Sequence, residues 1–186
     1  MAQSQATFAG PVNTPAASTG GHGRTGAVGA RPIYTPEERR RRDATVWTLV
    51  QGILAPVQFL VFLVSLVLVL WALATGEFHQ AAAISVVVKT LLLYTIMVTG
   101  AIWEKVVFGQ YLFAPSFYWE DVVSMAVIAL HTAYLVVLFA GVFSPATQLL
   151  IALAAYVTYV INAAQFLWKM KVAKRVERAA AAEGAA

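Results

Sequence analysis

The chain has 186 residues, of which 60% are hydrophobic and 12% charged, with a mean hydropathy of +0.71. That balance marks an integral membrane protein and leaves no segment for a folded soluble domain. The absence of cysteine excludes disulfides, thiolate metal sites and cysteine nucleophiles, so any chemistry falls to Glu, Asp, His, Lys and Tyr.

The first 30 residues are rich in Gly, Ala, Ser, Thr and Pro, with no acid and no apolar signal core, which predicts a disordered tail over residues 1–33. Order is expected from Tyr34. Thr35-Pro36-Glu37-Glu38 supplies an N-cap, a proline at the first helical position and a capping-box glutamate. A short basic amphipathic helix through Arg39, Arg40, Arg41 and Arg42 should follow and end near Asp43.

Four long apolar runs come next, Trp47–Ala74, Ala81–Ile102, Val122–Phe143 and Ala146–Trp168, each near the ~20 residues that a spanning helix needs. None alternates as a barrel strand would. The expected fold is therefore all-α, with four transmembrane helices in one bundle over residues 34–178 and an unstructured tail over 179–186.

Twelve of the thirteen Lys and Arg lie before the first span, between the second and third, or after the fourth. The positive-inside rule then puts both termini and the segment Trp103–Asp121 in the cytoplasm. The pI of about 9.5 is thus a topology signal first and an attraction to anionic lipid second, and it gives no support to nucleic-acid binding.

Polar residues within the spans fall on shared helical faces. In the first span Gln51, Gln58 and Ser65 recur every seven residues, and Pro56 should kink the helix. In the second, Lys89, Gly100 and Glu104 fall within about 60° of one another. Lys89 lies near mid-depth, so it should face the interior, either as part of a site or bonded to backbone carbonyls. In the third, Glu120, Ser124 and His131 share a face within about 40°, with Tyr134 one turn beyond, while Asp121 points about 100° from Glu120. His131 suits packing, ligation or proton transfer. In the fourth, Thr158, Asn162, Gln165 and Lys169 line one side.

These stripes converge at one end of the bundle, beside a segment WEKVVFGQYLFAPSFYWED with seven aromatic residues and Trp-acid pairs at both ends, Trp103-Glu104 and Trp119-Glu120. Interfacial aromatics explain part of it. A flat aromatic ligand explains the pairing with acids.

The blocks YTPEERRRRDAT, VQGILAP, KTLLLYTIMVTGAIWEKVVFGQYLFA, FYWEDVVSM, ALHTAYL and NAAQFLWK closely resemble the bacteriochlorophyllide 3-vinyl hydratase family (BchF type), over about Tyr34 to Arg175. The resemblance implies a hydro-lyase of bacteriochlorophyll synthesis that adds water across the ring-A vinyl group of chlorophyllide a, or of 3-vinyl bacteriochlorophyllide a, to give a 1-hydroxyethyl group. It implies no cofactor, the only magnesium being that of the tetrapyrrole. It also implies an inner or intracytoplasmic photosynthetic membrane, with neighbouring enzymes of the same synthesis as further partners.

The roles of individual residues rest on chemistry rather than on that resemblance. Glu120 or Glu104 fits the proton donor, with the other acid or Asp121 ionised to orient water. Lys105 suits a substrate carboxylate or an ion pair with Glu104. His131 is a candidate axial ligand to the substrate's magnesium, no metal being held by the protein alone. Lys89, Trp103, Trp119, Tyr134 and Gln165 complete the candidate pigment contacts. The competing readings are a non-catalytic pigment-binding or pigment-handover protein, and a small transporter built on Lys89 and His131.

Overall fold

A computed structural model of the chain describes residues 33–183, and residues 1–32 of the expected tail lie outside it. The described part is helical: α1 (Pro36–Ala44), α2 (Val46–Thr75), α3 (His79–Phe108), α4 (Tyr118–Phe139) and α5 (Pro145–Glu183). Helices α2 to α5 are each long and apolar enough to cross a membrane, making this a multi-pass membrane protein.

Helix α1 starts where the capping box predicts. The Glu38 amide donates to Thr35 Oγ1 at 3.3 Å, and the Thr35 amide donates back to Glu38 at 2.8 Å. Its sequence PEERRRRDA has no apolar stripe and buries none of its residues, so the expected amphipathic character is absent. What anchors this region is Tyr34, which is buried and stacked on Phe108. Burial pushes its phenol above the ordinary value, against the opposing pull of the Arg42 guanidinium 4.7 Å from the ring. Thr45 ends α1 and caps α2, and Thr48 Oγ1 donates to the Arg42 carbonyl across the joint.

The long helices form two antiparallel hairpins, α2 on α3 and α4 on α5, which meet each other less closely. Gly76 (φ 73°) stops α2 in the left-handed region, where a side chain would be strained. The interior holds polar residues among the apolar core. Gln58, Ser65, Lys89, Thr90, Glu104, Glu120, Asp121, Ser124 and His131 are buried, whereas Leu49, Leu63, Val64, Val67, Val98, Val136 and Phe139 are exposed as lipid-facing residues.

Two boundaries differ from those the sequence suggests. Trp103 to Phe108 is not loop but the last turns of α3, and α4 already begins at Tyr118, so the connection shrinks to residues 109–117. Helix α5 runs on to Glu183, through the stretch expected to be unstructured from residue 179. The run Ala179–Ala182 explains the second difference, since alanine has the highest intrinsic helix propensity.

Candidate active site

The short connection between the hairpins closes over the inner ends of α3 and α4. Gly109 (φ 85°) ends α3, and Phe113 (φ 59°) turns the chain so that two successive amides face inward. The Phe113 amide donates to Asp121 Oδ2 at 2.7 Å and the Ala114 amide to Glu104 Oε2 at 3.4 Å. These acids, one from each hairpin, are 3% and 6% exposed and are held by amides that are successive in the chain.

Glu120, next to Asp121 in sequence, belongs to a different arrangement. Its carboxylate receives Lys169 Nζ at 2.6 Å. Its carbonyl accepts from Ser124 Oγ at 2.8 Å and from Asn162 Nδ2 at 3.0 Å, tying α4 to α5. The Lys169 ammonium also lies 4.7 Å from the Phe117 ring centroid. Phe117 is the hub of an aromatic cluster with Tyr34, Trp103, Phe108 and Phe166. Because Lys169 keeps 22% of its side chain exposed, Lys169→Met should cost about 1–2 kcal/mol, well below the loss for a fully buried pair. Chemical unfolding should show that cost largely recovered in the Glu120→Gln/Lys169→Met double variant.

The other residues singled out by sequence are distributed unevenly. Trp103 joins the cluster and donates its indole N–H to Thr48 at 2.9 Å. Trp119 is 70% exposed and points away from the acids. Lys105 does not pair with Glu104; its ammonium caps the end of α3 through the Gly109 carbonyl at 2.8 Å and faces Tyr111. Gln165 has a buried Oε1 with no hydrogen-bond partner among the described residues.

Lys89 and His131 find each other at mid-depth. Nζ of Lys89 lies 2.7 Å from His131 Nε2, while His131 Nδ1 donates to the Val127 carbonyl at 2.8 Å. Both are fully buried, and the Lys89 ammonium faces the rings of Tyr159 at 4.0 Å and Tyr156 at 5.5 Å. Tyr156 OH in turn bonds Ser65 Oγ, which reaches Ser85. With both ring nitrogens engaged, His131 could ligate a magnesium only if Lys89 withdrew. The Tyr134 hydroxyl, on the same buried face, has no hydrogen-bond partner among the described residues.

Sequence reasoning missed the amides of Phe113 and Ala114, because backbone donors leave no residue-type signal. It also missed Tyr156 and Tyr159, whose roles follow only from how α5 packs.

Fold and site together define a polytopic membrane protein with a buried pair of acids, one from each helical hairpin. Residues 34–172 match the family 2-vinyl bacteriochlorophyllide hydratase (BCHF). Relatives with the name 2-vinyl bacteriochlorophyllide hydratase occur in Cereibacter sphaeroides, 71% identical over 145 residues (77% of this chain, 89% of the relative), and in Rhodobacter capsulatus, 70% identical over 145 residues (77% and 84%). The chain belongs to this family and is an enzyme of the hydro-lyase class. No solved structure matches it.

Proposed function

We propose that the protein hydrates the ring-A vinyl group of a magnesium chlorin, chlorophyllide a or its bacteriochlorin counterpart, with Glu104 as the proton donor and Asp121 as the water-activating base. The observation that carries this reading is the buried Glu104–Asp121 pair. Asp121 accepts the shorter amide hydrogen bond, 2.7 Å against 3.4 Å, which favours it as the ionised member and leaves the proton on Glu104. Glu120, ion-paired to Lys169, is poorly suited to donate a proton.

In this scheme the Glu104 carboxyl protonates the terminal vinyl carbon, the double-bond electrons forming the new C–H bond. The positive charge left on the adjacent carbon is delocalised into the macrocycle and stabilised by the Asp121 carboxylate. Water attacks that carbon and gives its proton to Asp121. Asp121 then passes that proton to the neighbouring Glu104, so the pair resets without an external donor. The aromatic cluster around Phe117 excludes bulk water and competing nucleophiles. No redox cofactor is required.

The same reading places both termini and the acids on the cytoplasmic side of an inner or intracytoplasmic photosynthetic membrane, since the basic residues gather at that end. It assigns Lys89 and His131 to packing rather than to magnesium ligation.

Incubating the purified protein with 3-vinyl chlorophyllide tests the proposal. Hydration removes a conjugated double bond, so the red absorption band should move to shorter wavelength and the pigment recovered should carry a 1-hydroxyethyl group. Recovery of unchanged vinyl pigment after tight binding would instead support pigment handover.

A further inference from the structure

Where α5 leaves the membrane it carries a one-sided row of cations. Lys171, Lys174, Arg175 and Arg178 follow the spacing of a single helical face and fall within about 100° of arc. All four are exposed, and among the described residues none makes a salt bridge. The opposite face, with Val172, Ala173 and Val176, lines a cleft together with Ile33, Tyr34 and Arg39. Glu177 is on that inner side too, held by Arg39 at 3.1 Å and Arg42 at 3.6 Å. The acid nearest the row is therefore turned away and neutralised, and the extension is fixed rather than free to swing.

Immediately before the row, Leu167, Trp168 and Met170 are 65%, 73% and 40% exposed. Apolar groups below and cations above, continuous on one helix, match the two ends of a single lipid molecule. An exposed tryptophan is also a usual marker of the membrane–water boundary.

We propose that Lys171, Lys174 and Arg175 form a binding face for anionic phospholipid headgroups, with the acyl chains lying along Leu167, Trp168 and Met170. Depth selects these three of the four cations. At 1.5 Å per residue, Lys171 lies about 4.5 Å beyond Trp168, Lys174 and Arg175 about 9–10 Å, and Arg178 about 15 Å. The headgroup zone of one leaflet is about 5–7 Å thick. Long basic side chains reach back towards it, so the first three cations touch phosphates and Arg178 stands above them. An acidic protein surface would use Arg178 as fully as the rest.

The test is lipid selectivity at the protein boundary, read with spin-labelled phosphatidylglycerol against phosphatidylcholine in bilayers containing the reconstituted full chain. The wild type should favour phosphatidylglycerol. Each of Lys171→Gln, Lys174→Gln and Arg175→Gln should lower that preference by up to about fivefold, and the triple variant should abolish it. Arg178→Gln should leave it unchanged. Helicity and conversion of vinyl pigment should stay at wild-type levels in all of them, showing that a lost preference is not lost folding. A wild type without preference, or a triple variant that keeps it, overturns the proposal. So does an Arg178→Gln loss equal to that of Lys171→Gln, which would mean that the row acts by summed charge and not by a headgroup site at one depth.

Discussion

Replacing Glu104 by Gln is expected to slow hydration by about 10²–10⁴-fold while pigment binding stays within a few-fold of wild type. An amide has the shape of the carboxyl and can still accept from the Ala114 amide, so the contact between α3 and the connection should persist. What it lacks is a proton acidic enough to transfer to an alkene carbon. Asp121→Asn should slow turnover too, through loss of the base and of the negative charge facing the cation. It differs in also weakening the 2.7 Å bond from the Phe113 amide, so the connection over the site should become more accessible to proteolysis. Glu120→Gln should cost much less activity, its loss coming through the Lys169 contact and not through chemistry. Initial rates of the absorption change, measured beside a pigment-binding titration, distinguish these three variants. Turnover by Glu104→Gln within tenfold of wild type would remove Glu104 as the donor, and a collapse confined to Glu120→Gln would move the chemistry to the α4–α5 contact.

How far the sequence anticipates this arrangement can be followed through the acids themselves. Position along the spans predicts Glu104, Glu120 and Asp121 near one end of the bundle, and all three are buried. Periodicity also shows Glu120 and Asp121 diverging by about 100°, which is why one helix end serves two different neighbours. It does not tell which neighbour each acid meets. That depends on Lys169 arriving from 49 residues away and on a connection whose contribution is backbone N–H groups. The four spans and the Thr35 capping box are legible because each is a local pattern. The end of α3 is not, since aromatic and charged residues from Trp103 to Phe108 read as an interface whether or not the helix continues through them.

Lys89 and His131 illustrate the same boundary, and they carry the second large expected effect. Taken separately, each is a costly polar group at mid-membrane and so suggests function. Taken together, each supplies the other's missing partner at 2.7 Å. His131→Leu should therefore leave the Lys89 ammonium with only aromatic faces around it, costing about 2.5–3.5 kcal/mol of stability. Lys89→Met should cost less, because the imidazole keeps its bond to the Val127 carbonyl. The Lys89→Met/His131→Leu double variant, which removes both polar groups at once, should recover most of the loss, as replacing a buried polar pair by apolar groups of similar volume commonly does. Unfolding titrations of the four proteins give the coupling energy directly. Turnover by the double variant should be retained, because His131 lies ten residues along α4 from Asp121, about 15 Å by helical rise. Loss of pigment binding at unchanged stability would mean that the imidazole meets the substrate's magnesium after all, and that Lys89 holds it in reserve until the pigment arrives.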